Sequence, residues 1–158
     1  MEGKRVRDSQ TEQVHILMSA EINGSNRLFG GVLMQWIDVV AAVVARRHSG
    51  HVVTTASVDG LEFLAPAYLD DTILLDGKLT FVGNSCMEVS VKTYVEALNG
   101  ARKLVNHAHM VLVAVDENGK PVKVPPLIIE TDEERAEWEA GKKRYEARKK
   151  RRLKQLNN

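Results

Sequence analysis

The chain contains a single cysteine, Cys86, so no intrachain disulfide braces it and no thiol cluster holds a structural metal. It has no uncharged apolar run of roughly eighteen residues, which excludes an ordinary membrane-spanning helix. Its first residues, MEGKRVRDSQTEQ, carry charges with no apolar stretch behind them and do not make a secretory signal. These absences point to the cytoplasm. Bulk charge of one sign is missing too: 22 Lys and Arg face 21 Asp and Glu. The formal net charge of +1 gives the surface no strong pull toward nucleic acid or membrane. The cations are bunched, however, in KKRYEARKKRRLKQ, after the acidic run TDEERAEWE. Almost no aromatic side chain lies among them to stack on bases, so nucleic acid is not an expected partner and Arg135 and Arg144 to Arg152 read as solvated helix charge.

What is present is one long apolar segment, LFGGVLMQWIDVVAAVVA from Leu28 to Ala45, with Asp38 in its middle. Burying an ion costs far more than burying a methylene unless it is paired or neutralised. The positions three and four residues away are Gln35 and Met34 on one side and Ala41 and Ala42 on the other, none of them cationic. Asp38 must therefore meet solvent, a partner subunit or a cleft. A cleft carboxylate on a rigid buried helix is a starting point for catalysis. The structural alternative is an acid that caps a neighbouring backbone group or makes a polar contact at a dimer interface.

Residues 1–10 are polar and predict a frayed arm. Thr11 to Met18 predicts a short strand, and the loop through Asn23, Gly24, Ser25 and Asn26 carries turn chemistry. The segment from about Leu28 to Arg47 is too long for a strand and predicts a helix. Arg46, Arg47 and His48 stand at its negative end, and Gly50 offers a stop. Beyond it the apolar period changes to two. Strands are predicted from His51 to Phe63, Thr72 to Val82, Ser85 to Leu98 and Ala101 to Asp116, mostly joined by short turns, with Asn99-Gly100 a hairpin signal. From Asp132 to about Leu156 a charged helix follows, with Thr131 as N-cap and Glu134 completing a capping box. The expected fold is α+β: a five-stranded antiparallel sheet wrapped around a long central apolar helix, plus a charged C-terminal helix. A helix this apolar needs cover on the side away from its sheet; a second copy of the chain is one way to supply it, and an ordinary α+β sandwich with a monomeric core is the alternative.

NGSNRLFGGVLMQWIDVVAA resembles the start of the central helix in hotdog-fold acyl-coenzyme A thioesterases, in the branch holding the bacterial YciA and the eukaryotic cytosolic acyl-CoA hydrolases. That branch carries an Asn, then Phe or His before Gly-Gly, then an acid inside the helix. Asn23, Phe29-Gly30-Gly31 and Asp38 take those places. VVTTASVDGLEFLAPAYLDD resembles the branch's second strand and acidic turn, and VLVAVDENGKPVKVP its last strand and exit. Many relatives have a basic residue just before the Pro, where this chain has Ala65. The resemblance implies a polar arm over 1–10, a hotdog acyl-CoA hydrolase domain over 11–130 and a charged helical extension over 131–158. It implies hydrolysis of acyl-CoA to free acid and coenzyme A, with no cofactor required because coenzyme A is part of substrate and product. It also implies a homodimer with shared active sites, stacked as a trimer of dimers. The strand from Ser85 to Leu98 favours that stacking, since Met87 and Tyr94 lie on opposite faces that both call for cover. A non-catalytic acyl-CoA binding or sensing module is the alternative, and the retained Asp38 and Asn23 count against it. Hotdog dehydration calls for a His base near the helix, and none precedes His48 in it.

Asp38 is the expected base or nucleophile. Gly30 and Gly31, lacking side chains, let a substrate approach the unsatisfied first-turn N–H groups, where an oxyanion is stabilised; close packing of the helix start is the structural alternative. Gly31 and Asp38 lie seven positions apart, about 10 Å along a helix. One thioester cannot touch both on one helix, but two antiparallel helices across a dimer bring the Gly-Gly end of one to the Asp of the other. Asn23 beside Gly24 is a turn former on its own, and in relatives it is paired with the acid of the other subunit. Thr54 and Thr55 are β-branched strand residues able to place a hydroxyl near the site. Asn84 and Ser85 match polar residues that meet the coenzyme in relatives, and Gly30 and Thr54 are grouped with them as coenzyme contacts. His107 and His109 share a strand face without a third ligand, so no metal is expected. Trp36 and Met34 read as core or acyl-tunnel lining.

Overall fold

In the computed structural model, which describes residues 1–157, the chain opens with β1 (Lys4–Arg5) and one turn of helix, α1 (Val6–Ser9). This arm is ordered where its polarity predicts fraying. Lys4 and Arg5 pair in parallel with Leu127 and Ile128, and Val6 and Ser9 are buried. Arg5 and Arg7 each reach Glu130 at 3.3 Å. One apolar side chain, Val6, anchors an otherwise charged segment.

The elements that follow are β2 (Thr11–Ile16), α2 (Gly30–Ser49), β3 (Val52–Phe63), β4 (Thr72–Val82), β5 (Cys86–Glu96), β6 (Arg102–Val115), β7 (Leu127–Ile128) and α3 (Asp132–Leu156). Five strands form one antiparallel sheet in the order β2-β4-β5-β6-β3, with α2 against its inner face. Alternation decides what faces the helix. Met87, Val89 and Val91 of β5 and Ala108, Met110 and Leu112 of β6 pack with Ile37, Val40, Ala41 and Val44 of α2 in one core. The helix lies directly on β4: a Cβ added at Gly77 would come within 2.6 Å of Val40 Cγ1.

The helix starts at Gly30 rather than Leu28 and runs to Ser49. Gly50 then turns the chain at φ 72°, its N–H bonding the Arg46 carbonyl at 2.8 Å. His48 does not stand in solvent at this helix end. It is fully buried, with Nε2 2.7 Å from the Pro125 carbonyl, and burial pushes its pKa down.

Connectivity between β3 and β4 also departs from a meander. β3 is an edge strand paired only with β6, so the chain must cross to reach β4 beside β5. The crossing segment, 64–71, runs past the start of α2, where Leu28 donates to the Ala67 carbonyl and Asp70 to the Leu17 carbonyl, both at 2.9 Å. β5 and β6 do form the hairpin that Asn99-Gly100 predicts, with Gly100 at φ 88°.

The outer face of the sheet is covered by α3. Thr131 caps this helix through the Glu134 N–H at 3.0 Å, whereas the Glu134 carboxylate accepts from Glu130 rather than from Thr131. Trp138 and Tyr145 flank Phe81 at 5.2 Å, and Gly141 lets the helix approach Phe81 and Glu88. Arg144 and Arg148 are not solvated charges. Arg144 grips the fully buried Glu88 through Nε at 2.9 Å and Nη2 at 2.8 Å, and Arg148 Nη1 lies 2.7 Å from Asp59 Oδ2. Both faces of β5 are thus covered within one chain, so its two-faced burial is no argument for further subunits. No helix among the described residues is long and apolar enough to cross a membrane.

Burial alone would raise the Glu88 pKa; the hydrogen bonds from Arg144 and from Thr80 (2.7 Å) outweigh it and hold the carboxyl below its ordinary range. A carboxyl depressed on folding lends stability that is present above its unfolded pKa and lost as pH falls through the folded one. Arg144→Met should therefore cost about 3 kcal/mol near neutral pH by stripping a buried carboxylate of its two guanidinium hydrogen bonds, with Thr80 and the more distant Arg148 as its remaining partners. Acidification should narrow its gap to wild type, because protonating Glu88 removes that charge. Thermal melts across pH check both.

Candidate active site

Along α2, Gly31, Gln35 and Val39 recur every four residues and stay exposed, while Ile37, Val40, Ala41 and Val44 are buried. Asp38 stands half-buried at the edge of that exposed line. One hydroxyl meets it: Thr55 Oγ1 donates to Asp38 Oδ1 at 2.6 Å. Thr55 pairs with Leu112, so its side chain shares the inner face with the core residues of β6. Thr54 pairs with Val113, and side chains alternate along a strand, so Thr54 points to the opposite face and Thr55 supplies the hydroxyl at Asp38. Oδ2 of Asp38 takes no hydrogen bond from the described residues. The carboxylate is fixed at one oxygen by a neutral donor and open at the other.

The start of α2 is left open in a complementary way. Its N-cap is Phe29, which has no side-chain acceptor. Val32 and Leu33 both donate to the Phe29 carbonyl, at 3.0 and 3.1 Å, and the amides of Gly30 and Gly31 have no acceptor among the described residues. A Cβ on Gly31 would meet the Phe29 ring at 2.9 Å, and one on Gly30 would approach Phe63 at 3.7 Å. Close packing and open donors therefore coexist here. Beside this helix start lies a cavity of about 340 Å3, lined by Leu28, Leu33, Phe63, Pro66 and Val105, with Arg27 at its rim.

Asn23 does what a turn former does. Its Oδ1 accepts from the amides of Ser25 at 2.9 Å and Arg27 at 3.3 Å, and its amide nitrogen is left unengaged. Within one chain it does not bond Asp38. Asn84 and Ser85 form the β4–β5 turn, where their carbonyls accept from Val124 and Ala114. Their side chains line a different cavity, near Ser57 and Arg148 on the outer face. His107 and His109 lie under α3 with ring centroids 4.6 Å apart, and His107 Nε2 is 2.9 Å from Ser90 Oγ. Burial lowers both pKa values, that of His109 to about 4. No cluster of three or more metal-binding side chains occurs among the described residues. Trp36 is core, stacked on His15 at 3.9 Å.

The chain thus joins Asp38 to Thr55, and Gly30 and Gly31 to an apolar cavity, but keeps the two groups apart. Sequence reasoning grouped Thr54 with the candidate site; the threonine that meets Asp38 is Thr55, and only the pairing of β3 with β6 tells the two apart.

Residues 25–99 match the family model described as the thioesterase superfamily. The chain is 40% identical over 134 residues to the uncharacterized acyl-CoA thioester hydrolase YkhA of Bacillus subtilis, covering 84% of this chain and 78% of that one. It spans 39% of the length of the rat cytosolic acyl coenzyme A thioester hydrolase, at 32% identity. The fold superposes on an acyl-CoA hydrolase from Staphylococcus aureus, solved with butyryl coenzyme A and coenzyme A. The TM-score is 0.91 at 32% identity, over 98% of this chain and 94% of the other. It likewise matches a hexameric acyl-CoA thioesterase, with a TM-score of 0.90 at 36% identity over 96% and 97% of the chains. Variants of the Staphylococcus enzyme in which an asparagine, an aspartate and a threonine became alanine have been solved. Those three stand fifteen and seventeen positions apart, the spacing of Asn23, Asp38 and Thr55 here. Sequence, fold and this spacing agree: the chain belongs to the hotdog-fold acyl-CoA thioesterases of the thioesterase superfamily.

Proposed function

We propose that the protein hydrolyses acyl-CoA thioesters to the free carboxylic acid and coenzyme A, in two sites shared across a homodimer. Asp38 is the general base. Its Oδ2 holds a water, takes the proton as the water attacks the thioester carbon, and the coenzyme leaves as thiol once the proton is returned. The observation that carries this reading is the Asp38–Thr55 contact: a lone carboxylate in an apolar helix, pinned by one hydroxyl, with one oxygen free. A base needs only to hold water in place. A nucleophile would have to follow the carbonyl to bonding distance, which a carboxylate tethered to Thr55 on a rigid helix does poorly.

The amides of the partner's Gly30 and Gly31 take the developing oxyanion, where the positive end of the helix dipole helps. The apolar cavity beside Leu33 and Phe63 takes the acyl chain. The free amide of Asn23 reaches the acid site of the neighbouring chain and orients water or carbonyl. Gly30 admits the thioester past the helix start, and Asn84, Ser85 and Thr54 are assigned to the coenzyme. The exposed line Gly31, Gln35, Val39 supports the dimer, and the likeness to a hexameric thioesterase supports a trimer of dimers. The reaction is assigned to the cytoplasm, in keeping with a free cysteine.

A thiol-release assay over short, branched and long acyl-CoAs tests this directly. Asp38→Asn should keep its elution volume and lose at least about 100-fold in kcat. Retention of more than half the wild-type rate contradicts the mechanism. Thr55→Val should lower kcat about tenfold, as expected for a hydrogen bond to a charged group, and Thr55→Ser should restore most of it. In heavy-oxygen water under single turnover, recovered enzyme should carry no label at Asp38; label there would make the carboxylate a nucleophile.

A further inference from the structure

The inner face of the sheet holds two polar side chains that neither the core packing nor the chemistry at Asp38 uses. Leu75, Thr93, Asn106 and Phe63 stand opposite one another in register across β4, β5, β6 and β3. Leu75 belongs to the core under α2, so the whole row faces the helix. Thr93 and Asn106 are each fully buried. Thr93 Oγ1 and both amide atoms of Asn106, Oδ1 and Nδ2, have no hydrogen-bond partner among the described residues. The buried polar pair on the outer face is served differently, with Thr80 donating to Glu88 at 2.7 Å.

The Thr93–Asn106 pair backs the apolar cavity beside the start of α2. That cavity opens where β3 leaves β6: Leu64 and Ala65 donate to the Val105 carbonyl, at 2.9 and 3.4 Å, and all three residues line it. Asn106 follows Val105 in the chain, and its partner on β3 is Phe63, another lining residue. The β5–β6 register slips here, between Thr93 and Tyr94, which leaves Val105 as the extra residue of a bulge. Phe63 stands between cavity and pair. Its backbone lies opposite Asn106, and its ring tip is 3.7 Å from a Cβ placed on Gly30. It is the last residue of an edge strand and is 58% exposed, so its ring turns without disturbing the core.

A buried amide and a buried hydroxyl without partners each cost free energy until a partner arrives. The pair is neutral, and its neighbours in the row, Leu75 and Phe63, carry no charge, so an ion is a poor occupant. The amide of Asn106 donates through nitrogen and accepts through oxygen, and the hydroxyl of Thr93 does both. The small neutral group that matches them is one that donates and accepts at once, an alcohol hydroxyl.

We infer that Asn106 and Thr93 read a hydroxyl on the acyl chain, so that the protein prefers short hydroxyacyl-coenzyme A to the unsubstituted acyl-coenzyme A of equal length. The inference rests on the acyl-CoA hydrolase reading above and gives its acyl cavity a substrate class. The thioester oxygen sits at the Gly30 and Gly31 amides, and the chain runs inward past Leu33. Its hydroxyl turns the Phe63 ring aside, donates to Asn106 Oδ1 and accepts from Thr93 Oγ1 or Asn106 Nδ2. Phe63 reaches from Asn106 to Gly30, so the hydroxyl stands one phenylalanine length from the thioester. Neither residue touches the reacting atoms; both act in specificity.

The test compares 3-hydroxybutyryl- and 4-hydroxybutyryl-coenzyme A with butyryl-coenzyme A. In wild type, kcat/KM for the better hydroxylated isomer should exceed that for butyryl at least about tenfold, because a site built to hydrogen-bond a hydroxyl rejects the analogue without it. Thr93→Val/Asn106→Leu keeps the bulk and removes the polar atoms. It should bring the ratio to about one or below, and its melting temperature should stay level or rise. Thr93→Val alone should lower the ratio, and Thr93→Ser should keep it. Non-hydrolysable hydroxybutyl and butyl thioethers of coenzyme A, titrated by calorimetry, should bind in the same order.

A wild type that treats the substrates alike, or favours butyryl, overturns the inference. A preference that survives Thr93→Val/Asn106→Leu places the hydroxyl elsewhere and overturns it too. A lower melting temperature in that variant with an unchanged ratio would make the pair a structural water site. Should the double variant fail to fold, Thr93→Val and the thioether titration decide. Thioethers that bind equally while butyryl-coenzyme A is hydrolysed overturn this inference alone. Absence of turnover with every acyl-CoA overturns the hydrolase reading, and the order of thioether affinity still tests the pair.

Discussion

A helix rises about 1.5 Å per residue, so Gly31 and Asp38, seven positions apart on α2, are held about 10 Å from each other. That rigidity organises the site. The helix is wrapped on its sheet side by β4, β5 and β6, pressed so closely that Gly77 is needed beneath Val40, and it has no freedom to bend its two ends toward one substrate. On the proposed reading, the chain therefore carries half of each of two sites. The uncovered line Gly31, Gln35, Val39 and the half-buried Asp38 beside it are the same feature seen from outside. An acid that is incompatible with a sealed core becomes tolerable where a second subunit and a substrate complete its surroundings.

The opposite face of the sheet is organised by a different rule. There Glu88 is fully buried and depends on Arg144 and Thr80, so the position of α3 is set by ion pairing as much as by the Phe81, Trp138 and Tyr145 contacts. Buried pairs of this kind are weak sources of net stability but strict about geometry. Here they fix the register of α3 over β3 and β5, and with it the cations that follow Arg144 along the helix. Asp59, two residues beyond Ser57, is held by Arg148, so the docked helix and the strand bearing Thr55 form one unit.

Much of this was legible in the residues. The switch of apolar period from the α2 segment to the strands marks the layers, and an acid with no cation at helical spacing marks the candidate site. Gly50 and Asn99-Gly100 announce their turns by needing conformations other residues avoid. The misses have physical causes. Thr54 and Thr55 are identical in type, and only strand parity, fixed by pairing with β6, tells which faces Asp38. The arm over 1–10 is held by one buried valine and two strand residues, too little apolar signal to see. The crossing from β3 to β4 depends on sheet order, which local turn chemistry does not encode. Arg144 and Arg148 look like solvent-facing charge because their partners, Glu88 and Asp59, lie far away in sequence and contribute no helical periodicity.

The central claim is that each site takes its parts from two chains, and subunit mixing tests it. An Asn23→Ala protein and an Asp38→Ala protein, each close to inactive alone, are combined and allowed to exchange, with exchange followed by mass spectrometry. If Asn23 and Asp38 of one site come from different chains, a mixed dimer holds one intact site and one doubly damaged site. Activity should then return to about half of wild type per mixed dimer. Confirmed exchange with no recovery would place both residues in one protomer and contradict the shared-site account.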